Sequence, residues 1–311
     1  MIMLSRVAER LYWMARYHER AENIARLTNA YSNLLMDLPP GSSIAWDVLV
    51  KILDAEEDYA KSNRVFNENN VLKFIIADPN NPSSIINSVR GIRENVRTTR
   101  DVLPEEAWEH TNELYLYAKE FAEKSVGRRN RYAFLEQIMS RTQQINGLLL
   151  TTLSRDHAYQ FIKLGHLLER ADMTTRIVDV GAAEILSSKD TELAFNPSLW
   201  STLLKALSSL TSYRLYISPI VDPRSVVNFV FKETAHPRSV IFCLRGIREE
   251  LNTLKNSTSA LKAIDIAIEQ IIGLNSKRVS RKKLHSSIDK LQLNLGEIHN
   301  TIADNWFLKN E

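Results

Sequence analysis

The chain has 311 residues, 44% of them hydrophobic and 25% charged, with a formal net charge of +3. Such a composition is ordinary for a globular protein with a substantial core, and the charge is too small to argue by itself for a nucleic-acid partner. A single cysteine, Cys243, excludes a disulfide framework and a thiolate metal site and favours a reducing compartment.

Nine glycines in the whole chain, with few Val, Ile or Thr runs of period two, predict an all-α fold. From Met1 to Arg16 charges recur, and no apolar stretch leads to a small-residue cleavage site. No segment approaches the ~18 apolar residues of a spanning helix, so a soluble, cytoplasmic protein is expected. Helices are predicted near residues 4–36, 44–59, 83–101, 104–125 and 131–152, then near 154–187, 198–215, 237–253, 258–273 and 280–305. Breaks fall at Pro39-Pro40-Gly41, at Asp78 to Pro82, at Pro197 and at Pro219 to Pro223. Pro104 followed by Glu105 and Glu106 reads as a helix start, because proline suits the first turn and acids complement the dipole there.

The chain also repeats itself. Residues 19–26, Glu-Arg-Ala-Glu-Asn-Ile-Ala-Arg, return at 169–176 as Glu-Arg-Ala-Asp-Met-Thr-Thr-Arg. Arg90-Gly91-Ile92-Arg93-Glu94 recurs unchanged as Arg245-Gly246-Ile247-Arg248-Glu249, preceded by Asn81-Pro82-Ser83-Ser84-Ile85 and His236-Pro237-Arg238-Ser239-Val240. Trp46, Leu49 and Lys51 match Trp200, Leu203 and Lys205. The order is kept and the spacing barely drifts, which predicts two related halves, 1–152 and 153–311. No Pro-, Gly- or Ser-rich linker separates them, so they are expected to pack as one body.

On a helical wheel, residues 4–35 show two apolar faces with a narrow polar seam between them: Ser5, Glu9, Tyr12, Arg16, Glu19, Arg20 and Asn23. A helix apolar on both sides is buried, and charges buried with it must be paired. The second half shows the same seam as Arg155, His166, Glu169, Arg170 and Arg176. Arg90, Arg93, Glu94 and Arg97 share adjoining parts of one helical face, repeated by Arg245, Arg248 and Glu249. Arginine suits bidentate binding of carboxylate or phosphate. Two readings compete: internal ion pairs that fix packing register, or surplus arginines lining a cavity for an anionic group. Catalysis by Glu19 or Glu169 is the third.

Cofactor motifs are missing, and neither a metal nor a cofactor is expected. Glu233-Thr234-Ala235-His236 is the one Glu-x-x-His, and Pro237 follows at once, so it reads as a helix end. Neither a His-Glu-x-x-His zinc site nor a Gly-rich phosphate loop nor a Gly-x-Ser-x-Gly elbow occurs. Cys243 and the histidines His18 and His166 read as interior residues. Two basic runs, Lys124 to Arg131 and Lys277 to Lys283, read as solvated loops, with an acidic protein partner as the next choice. Nucleic acid is weaker still, since aromatics are not interleaved.

The opening Met3-Leu4-Ser5-Arg6-Val7-Ala8-Glu9-Arg10-Leu11-Tyr12-Trp13-Met14-Ala15-Arg16-Tyr17 resembles the signature of the alpha-E domain family, as does Glu19-Arg20-Ala21-Glu22-Asn23. Asn81-Pro82-Ser83-Ser84-Ile85, Arg93-Glu94-Asn95 and Trp108 with Asn112-Glu113-Leu114-Tyr115 continue the resemblance over essentially the whole chain. The resemblance implies a bacterial helical protein whose gene neighbours, or is fused to, a circularly permuted ATP-grasp protein, often near a transglutaminase-like protein. ATP-grasp enzymes activate carboxylates as acyl phosphates and join them to amines. The implied role is that of a non-ATP-binding partner in forming or modifying amide or peptide bonds. Its expected binding residues are Arg16, Arg20, Asn23, Arg90, Arg93, His166, Arg170, Arg245 and Arg248, with Glu19 and Glu169 as candidate bases. A structural or regulatory scaffold is the rival, and a homo-oligomer stays open.

Overall fold

A computed structural model describes residues 4–37, 45–62, 65–187, 197–274 and 281–307. Among them are fourteen α-helices and no strand: α1 (Ser5–Asp37), α2 (Asp47–Ile52), α3 (Glu56–Ala60), α4 (Glu68–Ile76), α5 (Ile85–Arg97), α6 (Glu105–Phe121), α7 (Arg128–Thr152), α8 (His157–Ser187), α9 (Pro197–Ala206), α10 (Leu210–Tyr216), α11 (Pro223–Lys232), α12 (Val240–Thr253), α13 (Thr258–Gly273) and α14 (Arg281–Trp306). No helix among the described residues is long and apolar enough to cross a membrane.

The centre is the pair α1 and α8, which make the most extensive helix–helix contact among the described residues. From Leu11 to Thr28, α1 is buried all round except at Trp13, Tyr17 and Arg20, as a helix with two apolar faces must be. The two helices run parallel: Tyr12 lies beside Gly165, His18 beside His166, Glu19 beside Arg170 and Tyr31 beside Gly181. They approach so closely at Gly165 that a Cβ there would stand 2.3 Å from the Tyr12 carbonyl oxygen. Only glycine permits that crossing.

The remaining helices form two sheaths. α5 and α7 lie along α1 with α6 packed on both of them, and α12 and α14 lie along α8 with α13 packed on both of those. The short helices cross over, with α2 packed on α8 and α9 packed on α1. The Trp46 and Trp200 segments therefore each brace the long helix that is distant in sequence, so residues 1–152 and 153–311 are interleaved rather than set side by side.

The predicted helix at 44–59 divides into α2 and α3, and that at 198–215 into α9 and α10. In each case a residue just past the first helix, Asp54 (φ 53°) or Ser208 (φ 54°), takes the left-handed backbone that ends it. The helix near 83–101 stops at Arg97. Two helices were not foreseen. α4 begins behind Asn67, whose side chain accepts from Asn70 N–H, and α11 begins behind Asp222, which accepts from Arg224 and Ser225 N–H. Pro223, read as part of a break, is instead the first residue of α11. The Pro39-Pro40-Gly41 break and most of the second basic run lie outside the described residues.

Candidate functional site

The two Glu-Arg pairs of the long helices meet across the α1–α8 interface. Arg170 donates from Nε and Nη2 to the two carboxylate oxygens of Glu19, at 2.9 and 2.8 Å. Arg20 does the same to Glu169, at 2.6 and 3.1 Å. Each helix thus supplies one buried carboxylate and one guanidinium fork, a reciprocal clasp that parallel packing of two like segments makes possible. Glu169 also takes Arg16 Nε at 2.6 Å. At Glu19 that place belongs to His166, whose Nδ1 stands 3.5 Å from Oε2, while Asn23 Nδ2 donates at 3.2 Å and Arg238 Nη1 at 3.2 Å.

The clasp extends along both helices. Glu22 accepts from Arg26 at 2.6 Å, from Arg238 at 3.0 Å and from Gln143 at 3.2 Å. Asp172, at the corresponding place on α8, accepts from Arg176 Nε at 3.0 Å, and Arg176 also reaches Asp54 at 3.2 Å. Burial alone pushes the Glu19 and Glu169 carboxyls toward neutrality, but Arg170 and Arg238 at Glu19, and Arg20 and Arg16 at Glu169, outweigh it and hold both below the usual carboxylate range. A general base near neutral pH needs a raised pKa and an open face; these carboxylates have a depressed pKa and are forked by arginine. His18, packed edge-on against His166 at 5.1 Å between ring centres, is pushed down to about 3, first by burial and then by the His166 charge.

The seam meets a cavity at its Glu169 end. Beside Glu169, a polar cavity of about 230 Å³ reaches the surface, lined by Arg20, Asp54, Ser83, Asp172 and Arg176.

Of the residues predicted for binding, Arg16, Arg20, Asn23, His166 and Arg170 converge here, yet Arg16, Arg20 and Arg170 all turn on the two glutamates. Arg90, Arg93, Arg245 and Arg248 do not join them. Arg90 is exposed and bonds Asn87 on its own helix. Arg93 donates to Asn112 at 2.9 Å and lies over the Tyr115 and Trp108 rings at 4.8 and 5.3 Å. Arg245 is exposed, and Arg248 pairs with Asp265 at 2.6 Å. The repeated Arg-Gly-Ile-Arg-Glu has another use: a Cβ at Gly91 would come within 2.7 Å of the Tyr17 ring, and one at Gly246 within 2.7 Å of the Leu167 side chain. The motif lets α5 and α12 sit tightly on α1 and α8, while its arginines face outward.

Other expectations resolve similarly. Burial pushes the Cys243 thiol up to about 12, so it is no nucleophile. His236 closes a turn after α11 with its Nε2 2.8 Å from Ser209 Oγ. In the first basic run, Arg128 and Arg131 both bind Glu68, at 2.7 and 2.9 Å, and tie α7 to α4. One group with metal-donor chemistry, which the sequence spacing did not suggest, forms among the described residues: Asp179, His285 and Asp289, with ligand atoms within 4.8 Å, two of the three side chains exposed. A groove of about 820 Å³ among α11, α13 and α14 lies away from the seam.

Compared with known proteins, the model of the Alpha-E family, described as a predicted alpha-helical domain with a conserved ER motif, matches residues 3–307. The chain belongs to the Alpha-E family. Two of its three Glu-Arg dipeptides, 19–20 and 169–170, are those that form the clasp. An uncharacterized protein of Mycobacterium bovis is 23% identical over 273 residues, covering 82% of this chain and 30% of the relative. An uncharacterized protein of Mycobacterium tuberculosis strain H37Rv is 22% identical over the same length and coverage. The chain thus spans about 30% of the length of these relatives. No solved structure is significantly similar to it.

Sequence reasoning missed Arg238, Asp172, Asp54 and Ser83, and also Glu22, Arg26 and Gln143. A signal for two of them was present: Arg238 stands where the otherwise matching first stretch has Ser83.

Proposed function

We propose that this chain is a cytoplasmic, non-ATP-binding helical partner of an ATP-grasp-type ligase that forms or modifies amide or peptide bonds. It positions an amine or peptide substrate at the clasp, and its two halves, 1–152 and 153–311, are copies of one helical unit. The observation that carries this reading is a buried seam of arginine–carboxylate pairs that meets a small polar cavity at one end. Such a site is organised in advance for holding a charged group, and no nucleotide-binding loop accompanies it. The resemblance to proteins encoded beside or fused to ATP-grasp enzymes supplies the partner. The length of the mycobacterial relatives supports a unit that works alongside other polypeptide. The anion expected from surplus arginines fits the geometry less well, because Arg16, Arg20 and Arg170 are already forked on carboxylates.

Co-expression with an ATP-grasp-type protein from the same genome tests the partnership. Stable co-purification, with ATP turnover on amino-acid and peptide mixtures that needs both chains, supports it. Separate elution with no mutual dependence removes it. The scaffold reading keeps one specific support: at the Glu19 end Arg170, Arg238 and Arg26 are all paired with Glu19 and Glu22. Under that reading Asp172→Asn leaves ligation by the pair of proteins unchanged.

A further inference from the structure

The two ends of the seam are framed alike. Ser84 and Ser239 cap α5 and α12, accepting from the N–H groups of Asn87 and Phe242. Asp54 and Ser208 make the same left-handed turn behind α2 and α9. One difference concerns the space between. At the Glu19 end, the residue before the cap is Arg238, and its guanidinium fills the gap, meeting Asn23 at 2.6 Å, Glu22 at 3.0 Å and Glu19 at 3.2 Å. At the Glu169 end, the residue before the cap is Ser83, and the gap is the 230 Å³ cavity.

We propose that the cavity beside Ser83 binds a cationic guanidinium or ammonium group, seated as Arg238 is seated at the other end. The charges agree. At the filled end Arg26, Arg170 and Arg238 face Glu19 and Glu22; at the open end Arg16, Arg20 and Arg176 face Glu169, Asp172 and Asp54. One bound cation gives both ends the same balance. The turn residue points the same way, since Asp54, the left-handed residue behind α2, puts an acid at the mouth of the cavity, where the corresponding residue behind α9 is the uncharged Ser208. The Asp172 carboxylate accepts one hydrogen bond among the described residues, from Arg176, whereas that of Glu22, its counterpart, accepts from Arg238 and Gln143 besides Arg26. The volume is below the ~300–1,000 Å³ of pockets for drug-sized ligands, which suits a single charged group and its stem. Carried on an amine or peptide substrate, that group is what the proposed ligase partnership would present. The site itself is measured on the chain alone, so a failed co-purification and a failed titration are separate results.

Calorimetric titration with agmatine and with a blocked arginine tripeptide, at fixed ionic strength, tests the site. Both carry the guanidinium, and the tighter of the two assigns its source as free small molecule or peptide side chain. One equivalent is expected to bind. Ser83→Arg supplies the guanidinium in place, so it should abolish binding while the melting temperature holds or rises. Asp172→Asn should weaken binding about tenfold or more with the circular dichroism unchanged. The proposal is overturned if neither probe binds the wild type, if Ser83→Arg binds as the wild type does, or if inorganic phosphate binds where agmatine does not.

Discussion

At one end of the central seam Glu19 takes a fork from Arg170 and a further bond from Arg238, which arrives from the turn before α12; at the other, Glu169 takes a fork from Arg20 and a further bond from Arg16, on α1 itself. The forks are alike, but the added arginine comes from a different element. Where it comes from the turn, its side chain crosses and fills the gap beside the long helices. Where it comes from the helix, the gap remains. An exchange before a helix cap, serine against arginine, therefore accompanies the difference between a closed ionic cluster and a cavity, together with His166 in place of Arg16 and Glu22 in place of Asp172 on the long helices. The same folding logic can serve as a strut at one end and as a site at the other.

The comparison can be broken most severely at Glu19. Glu19→Gln leaves Arg170 buried without its carboxylate, and urea unfolding should show a loss of about 3–5 kcal/mol. A loss under 1 kcal/mol would mean that the clasp is not a structural element. Next comes Arg238→Ser, which makes the two ends alike at this position. It removes charged hydrogen bonds to Glu19, Glu22 and Asn23, and a cost of about 2–3 kcal/mol is expected. Added agmatine should restore part of the loss and bind with a second equivalent.

Acid probes both ends through their buried histidines and carboxylates. His18 is held far below its ordinary pKa of about 6.5. As the pH falls below that value the unfolded chain takes up a proton that the folded one refuses, so stability drops by about 1.4 kcal/mol per pH unit for this residue alone. Burial lowers His236 and His299 as well, and they act in the same direction. The stability that ionised Glu19 and Glu169 contribute is present above the unfolded carboxylate pKa of about 4.3 and is lost as the pH falls further. His18→Leu should therefore flatten the unfolding free energy between about pH 6.5 and 4.5, and leave the steeper loss below it.

The smallest effects belong to the outer arginines. Arg93→Ala should cost under about 1 kcal/mol, from lost ring contacts with Tyr115 and Trp108. Arg245→Ala should stay within about 0.5 kcal/mol. Larger losses in thermal melts would return these residues to the functional centre.

Much of this was legible in the amino-acid order. The helical class follows from scarce glycine and 3.6-residue periodicity, and the polar stripe on α1 between two apolar faces announced that Glu19 and Asn23 would be buried and that Glu19 and Arg20 would be partnered. Helix ends at Asp54 and Ser208 were not legible, since a left-handed residue that is not glycine leaves little trace in composition. Arg90 and Arg93 were misplaced for a related reason: periodicity shows that two residues share a face and cannot say whether that face turns inward. Gly91 and Gly246 decided it, by bringing the opposite face of each helix down onto α1 and α8.

By itself the sequence determined that the chain is helical, that two long helices carry a buried polar stripe, and that like segments recur in the same order. Those are consequences of local periodicity and of residue chemistry, which need no partner to be specified. Only the tertiary structure decided that Glu19 pairs with Arg170 and Glu169 with Arg20, and that Arg238 fills one gap while Ser83 leaves the other open. Each of those outcomes depends on which surfaces the parallel packing of α1 and α8 brings within hydrogen-bond reach, across about 150 residues of intervening chain.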